Sequence, residues 1–131
     1  MTYLLDTNIC MYIINSRPAH VVERFRREKI GDIAISSVTA AELAYGVAKS
    51  ESERNRQALE MFFAPLEILP LDESVIWKYG YTRAFLEKKG EVIGALDMII
   101  AAHCLAVDAI LVTNNVKEFS RVPNLRIENW A

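Results

Sequence analysis

The most constraining feature of this chain is how its apolar residues are parcelled. Short apolar runs alternate with stretches of helix length, and most runs stop at residues that favour turns or helix starts. Thr2 to Leu5 stops at Asp6-Thr7-Asn8, and Ala109 to Val112 stops at Thr113-Asn114-Asn115. Asp32 to Ser36 and Leu66 to Leu69 give two more strand candidates, and Arg126 to Glu128 a short edge strand. Strands separated by helices must be joined by right-handed crossovers, which makes the sheet mainly parallel with helices on both faces. The expectation is an α/β fold of 4–5 strands in one domain over residues 1–131. In such a sheet a ligand sits beyond the carboxyl ends of the strands. Attention therefore falls on Asp6, Ser36 and Asn115.

Between the strands, Ile9 to Asn15 reads as a short helix, and Pro18 opens the next. Val38 to Lys49 and Glu53 to Phe63 follow, the second stopping before Pro65. Asp72 reads as the N-cap of a long helix through Lys89, with Gly90 as its stop. Glu91 to Leu96 is expected as a loop. Asp97 to Val107 is apolar nearly all round, so that helix should be buried. A last short helix covers Val116 to Phe119.

Composition removes several functional classes. With 131 residues and 52% hydrophobic content, the chain can bury a continuous core and is not a disordered segment. No apolar run approaches the roughly 18–20 residues that cross a bilayer. The N-terminus carries no basic leader, so the expected location is the cytoplasm. Cys10 and Cys104 sit in apolar surroundings and read as buried thiols, without zinc-site spacing. A formal net charge of −2 argues against a general nucleic-acid coating protein. It leaves room for an enzyme that grips RNA through a local basic patch.

Four positions could carry chemistry, and each has a plainer alternative. Asp6 either caps the helix after it or offers a carboxylate at the end of a buried strand. Glu42 has capping-box spacing from Thr39; if the helix begins at Ser36 or Ser37, it lies a turn further in, among small apolar residues. Asp97 either caps the apolar helix or is a ligand mounted on a rigid element, with Gly94 allowing close backbone approach. Asn115 is a strand-end turn residue, or it contributes an amide oxygen or holds a metal-bound water. Brought to one sheet edge, the three carboxylates would repel one another without a cation, and hard oxygen donors select magnesium, with manganese as a substitute. The reaction class that follows is metal-assisted phosphodiester hydrolysis.

At these residues the chain resembles the PIN-domain family, in particular its VapC-type toxins. The likeness starts at Leu5-Asp6-Thr7-Asn8 and continues through Ile35 to Leu43 and Tyr45-Gly46. It includes Ile93 to His103, Leu111 to Phe119 and Glu128-Asn129-Trp130. The resemblance implies a PIN-like fold and an acidic ligand set of Asp6, Glu42 and Asp97. Asn115 stands at the fourth position, where many members carry Asp, and Thr7, Asn8 and Thr113 act as supporting polar groups. It also implies a homodimer, a VapB-type antitoxin that places an arginine among the acids, and RNA cleavage, with initiator tRNA as the leading substrate.

Among the remaining residues, His103 lies about 600° round the helix from Asp97 and reads as a core or interface histidine. His20 should face solvent. Lys117, Arg24 and Arg27 are the candidate RNA contacts, the last two sharing a helix face. Tyr12, Phe25, Phe62, Phe63, Tyr79, Tyr81 and Phe85 read as core or subunit-contact residues. The Glu53–Phe63 helix could line an apolar groove for an antitoxin helix. Competing readings are a non-catalytic RNA- or protein-binding domain and a haloacid-dehalogenase-type phosphatase. The phosphatase requires an Asp where Asn8 stands. A receiver domain does not fit, because Pro70-Leu71 follow the third strand.

Overall fold

All five strand candidates enter one sheet in a computed structural model that describes residues 1–131. In chain order the elements are β1 (Tyr3–Leu5), α1 (Thr7–Ile14), α2 (Ala19–Arg27), β2 (Ile33–Ser36), α3 (Ser37–Ser50), α4 (Glu53–Phe63), β3 (Glu67–Leu69), α5 (Glu73–Lys89), α6 (Ala95–Val107), β4 (Ile110–Val112), α7 (Val116–Phe119) and β5 (Ile127–Glu128). The strand order is β3-β2-β1-β4-β5, and every pairing is parallel. No helix is long and apolar enough to cross a membrane.

Side-chain alternation along the strands divides the core into two layers. Tyr3, Leu5, Ile33, Ile35, Ile110 and Val112 pack with Ile9, Val21, Leu59 and Phe62 from α1, α2 and α4. Leu4, Ala34 and Leu111 face the other way, against Leu86 of α5 and Met98, Ile100 and Cys104 of α6. A strand buried on both faces needs apolar residues at every position, which is why β1, β2 and β4 read as unbroken apolar runs. Each fully buried Leu or Ile contributes about 1.5–3 kcal/mol of transfer free energy.

The chain builds outward from β1 in one direction, through β2 to β3, and later returns to add β4 and β5 on the other side. In open parallel sheets such a reversal is where a ligand sits, here at the carboxyl ends of β1 and β4. Asp6 follows β1 directly, with its backbone N–H still bonded to Val112 O at 3.0 Å.

Several boundaries move from the sequence reading, each for a local reason. Thr7 and Asn8 join α1 because Asp6 caps it, accepting from Ile9 N. Pro18 is the cap of α2 rather than its first residue. Asp32 belongs to a 3-10 turn over Ile30–Asp32. The capping-box reading of Thr39 and Glu42 is wrong: Ser36 caps α3 through its hydroxyl, which accepts from Val38 N. The capping reading of Asp97 is also wrong. Helix α6 starts at Ala95 behind Gly94, so Asp97 lies inside the first turn and its carboxylate is free for other work. The Gly90 stop and the Asp72 cap of α5 stand where the sequence put them.

Candidate active site at the carboxyl edge of the sheet

Asp6 is buried, and both of its oxygens are engaged. Oδ1 accepts from Ile9 N at 2.9 Å, and Oδ2 accepts from the hydroxyl of Thr113 at the end of β4. Thus one oxygen of the carboxylate caps α1 and the other is held by Thr113. Burial pushes its carboxyl above the ordinary range, opposed by those two hydrogen bonds and assisted by the charge of Glu42. Glu42 lies in the second turn of α3, and its Oε1 accepts from Thr7 Oγ1 at 2.9 Å. Thr7 and Thr113, read from sequence as supporting groups, each hold one acid. Asn8 is exposed and makes no side-chain bond.

Asp97 enters from the first turn of α6. Its pKa is pushed up to about 6, first by burial and then by the charges of Glu118, Asp6 and Glu42. Glu118 of α7 was not singled out in the sequence. Its Oε1 accepts from Gly94 N at 3.2 Å and its Oε2 from Asn115 Nδ2 at 2.7 Å. Those bonds, Asn115's first, hold its carboxyl below the ordinary range. The signal available was Glu118's place three residues after Asn115, the spacing at which helical side chains meet. Asn115 does not cap α7 with its side chain; with Nδ2 given to Glu118, its amide oxygen is the group left for other contacts.

Asp6, Glu42, Asp97 and Glu118 therefore share one edge of the sheet; none of them forms a salt bridge, and Arg121 is near enough for its charge to favour ionised Glu118. No three of the chain's Asp, Glu, His or Cys side chains are grouped closely enough to hold a metal ion together, so the expected three-carboxylate ligand set is not assembled in this structure. A hydrated magnesium ion takes one or two carboxylates and keeps water in its other positions, and that smaller demand is the one these acids fit.

Around the site, Lys117 is exposed and unpaired in α7. Arg27 is exposed as well, but Arg24 is not its equal. Arg24 pairs with Glu28 at 2.9 Å and Glu128 at 3.2 Å and lies over the Trp130 ring. A cleft of about 530 Å³ runs from Thr7 and Glu42 between α1, α3 and α4, lined by Leu43, Val47, Ala58 and Leu59 among others. The α4 residues expected to line a groove do so. His103, Cys10 and Cys104 are fully buried, and His20 is exposed. Tyr81 and Phe85 stand exposed on α5 beside Trp77, which the sequence reading had not picked out.

Comparisons with known proteins identify the family. A PIN domain family model matches residues 3–125. Ribonuclease VapC2 of Rickettsia felis is 48% identical, over 99% of this chain and 98% of the relative. The tRNA(fMet)-specific endonuclease VapC of Shigella flexneri is 42% identical, over 100% of this chain and 99% of its own. Among solved structures, the DNA-bound VapBC of Salmonella typhimurium superposes with a TM-score of 0.94 at 40% identity, covering 100% of this chain and 99% of that one. A PIN match over nearly the full length leaves no room for a haloacid-dehalogenase-type phosphatase. By its sheet order, its full-length sequence likeness and its unpaired acids, this chain belongs to the PIN domain family, in the VapC ribonuclease branch.

Proposed function

We propose that residues 1–131 work as one nuclease domain: a magnesium-dependent endoribonuclease, the toxin of a VapBC-type pair. It acts in the cytoplasm and stops translation by cutting a structured RNA such as initiator tRNA. The observation that carries this is the set of acids at the β1/β4 switch point, of which Asp6, Glu42 and Asp97 have no cationic partner. The relative from Shigella flexneri is named for cleaving tRNA(fMet), which supports the substrate.

Asp6, Asp97 and Glu42 are the residues that would hold the ion, with Glu118 and the Asn115 amide oxygen beside them. Magnesium, or manganese in its place, supplies Lewis-acid stabilisation of the phosphodiester and a water activated at neutral pH. The chain's own groups do the rest. Thr113 and Ile9 N–H fix the Asp6 carboxylate in one orientation, and Thr7 does the same for Glu42. Lys117 and Arg27 offer phosphate contacts that place the strand across the acids. Arg24, already paired twice, is the weakest of the three RNA candidates.

The cleft between α1, α3 and α4 suits an antitoxin segment. Its apolar wall takes a helix or extended peptide, and its Glu42 end takes an arginine. The VapBC complexes among the structural relatives support that partner. Exposed Trp77, Tyr81 and Phe85 on α5 give the face through which two copies would associate. The test is cleavage of purified tRNA. Magnesium-dependent cutting that vanishes in Asp6→Ala and Asp97→Ala is expected; cutting that survives either substitution, or survives chelation, rejects the reading.

A further inference from the structure

Six hydrogen bonds form a closed ring around the acids. Thr113 Oγ1 donates to Asp6, and Thr7 Oγ1, one residue on, donates to Glu42. Glu118 accepts from Gly94 N and Asn115 Nδ2, and Asn115 N donates back to Thr113 Oγ1. The remaining gap, between the helix that carries Glu42 and the helix that carries Asp97, is closed by one bond. His103 Nδ1 of α6 lies 2.9 Å from Ser36 Oγ, the cap of α3. It is the only side-chain hydrogen bond between α6 and the start of α3, and it alone touches neither an acid nor a partner of one.

Stability does not account for a histidine here. His103 and Ser36 are both fully buried. Ser36 Oγ accepts Val38 N–H and also bonds His103 Nδ1, as donor or as second-site acceptor according to the imidazole tautomer. Nε2 is buried without a partner. A buried polar atom left unpaired costs about 1–3 kcal/mol, more than one neutral hydrogen bond returns. A phenyl ring of similar shape would avoid that cost. Departures from the best-packing residue are expected where a site must be held in place.

We infer that His103 is a positioning residue: its bond to Ser36 sets the register of α6 against α3, and so the separation of Asp97 and Glu42. This rests on the metal-dependent reading above, in which those two acids serve one ion. Removing a group that orients metal ligands weakens metal binding by about 10–100-fold.

Two substitutions separate the bond from the volume. His103→Phe keeps the ring and loses the bond. His103→Asn keeps a hydrogen-bonding atom at the δ position and loses the ring. Mn²⁺ affinity, followed by water proton relaxation on the full chain, is read beside the melting temperature and beside RNA cleavage at saturating metal. His103→Phe should bind Mn²⁺ about tenfold more weakly, with kcat at saturating metal within about twofold of wild type. His103→Asn should bind nearly as wild type does although it melts lower. Ser36→Ala also loses the α3 cap, so the double variant Ser36→Ala/His103→Phe decides: its metal affinity should fall no further than that of the weaker single variant. Wild-type affinity in His103→Phe, or affinity that merely follows melting temperature through the series, overturns the inference alone. A wild-type chain that binds no Mn²⁺ overturns the metal reading and this inference with it.

Discussion

Replacing Asp97 by Asn should make the metal-free protein more stable while removing its activity. The carboxyl of Asp97 is pushed from 3.8 to about 6 in the folded chain, by burial and by the charges of Glu118, Asp6 and Glu42. A raised carboxylate pKa means that the folded state binds the proton more tightly than the unfolded one. Stability then falls as pH rises between those two values and stays lowered above them. A shift of about two units corresponds to ~3 kcal/mol as a ceiling. Asp97 is partly open to solvent, and screening reduces this to about 1.5 kcal/mol. Asn has nearly the same shape and carries no charge, so Asp97→Asn should recover that amount. For a domain of this size the gain is about 5 °C in Tm. The assay is thermal melting in chelator across the pH range. The advantage of Asp97→Asn should be full at pH 7.5 and should close as pH falls from about 6 toward 4, where the wild-type carboxyl is itself protonated. Saturating magnesium should narrow the gap at pH 7.5 by stabilising only the wild type. A variant that melts at or below wild type in chelator, or an advantage that persists at pH 4, refutes the idea that uncompensated acids strain this edge of the sheet.

Three further outcomes are expected. Thr113→Val keeps the side-chain shape but leaves Asp6 Oδ2 unpaired. It should cost about 1–3 kcal/mol in denaturant unfolding and move the Asp6 carboxyl further up, so that protons compete with metal at higher pH. Asn115→Asp replaces a donor to Glu118 with a like charge. The chelated variant should melt several degrees lower, and added magnesium should raise its Tm by more than it raises the wild type's. Lys117→Ala should raise KM for RNA several-fold and flatten its dependence on salt, with Mn²⁺ affinity unchanged; a changed metal affinity would place Lys117 among the ion-holding groups instead.

Most of the sheet was legible because strands buried on both faces must be apolar throughout, and those runs stand out against the helices. The acids were legible as strand-end and helix-start residues, since Asp6 follows Leu5 directly and Asp97 heads an apolar helix. The position of Asp97 within α6 was not legible. Gly94 caps the helix through backbone geometry alone and leaves no side-chain signature. Glu118 was hidden because an acid in a short exposed helix looks like any solvated charge until Gly94 N is brought against it. Arg24 shared a face with Arg27 in the sequence, yet its partner Glu128 is 104 residues away, and no local pattern encodes such a pairing. The same holds for His103 and Ser36, which are 67 positions apart.

The hydroxyl that steadies Asp6 comes from Thr113, across a span of 107 positions. A nascent polypeptide therefore carries its first acid long before the groups that orient and complete the set around it. Any fragment ending short of Glu118 lacks part of that set, and β1 has no neighbour on its β4 side. The cleft between α1, α3 and α4 draws only on residues from Thr7 to Leu59, so it is encoded well before the acid set is complete.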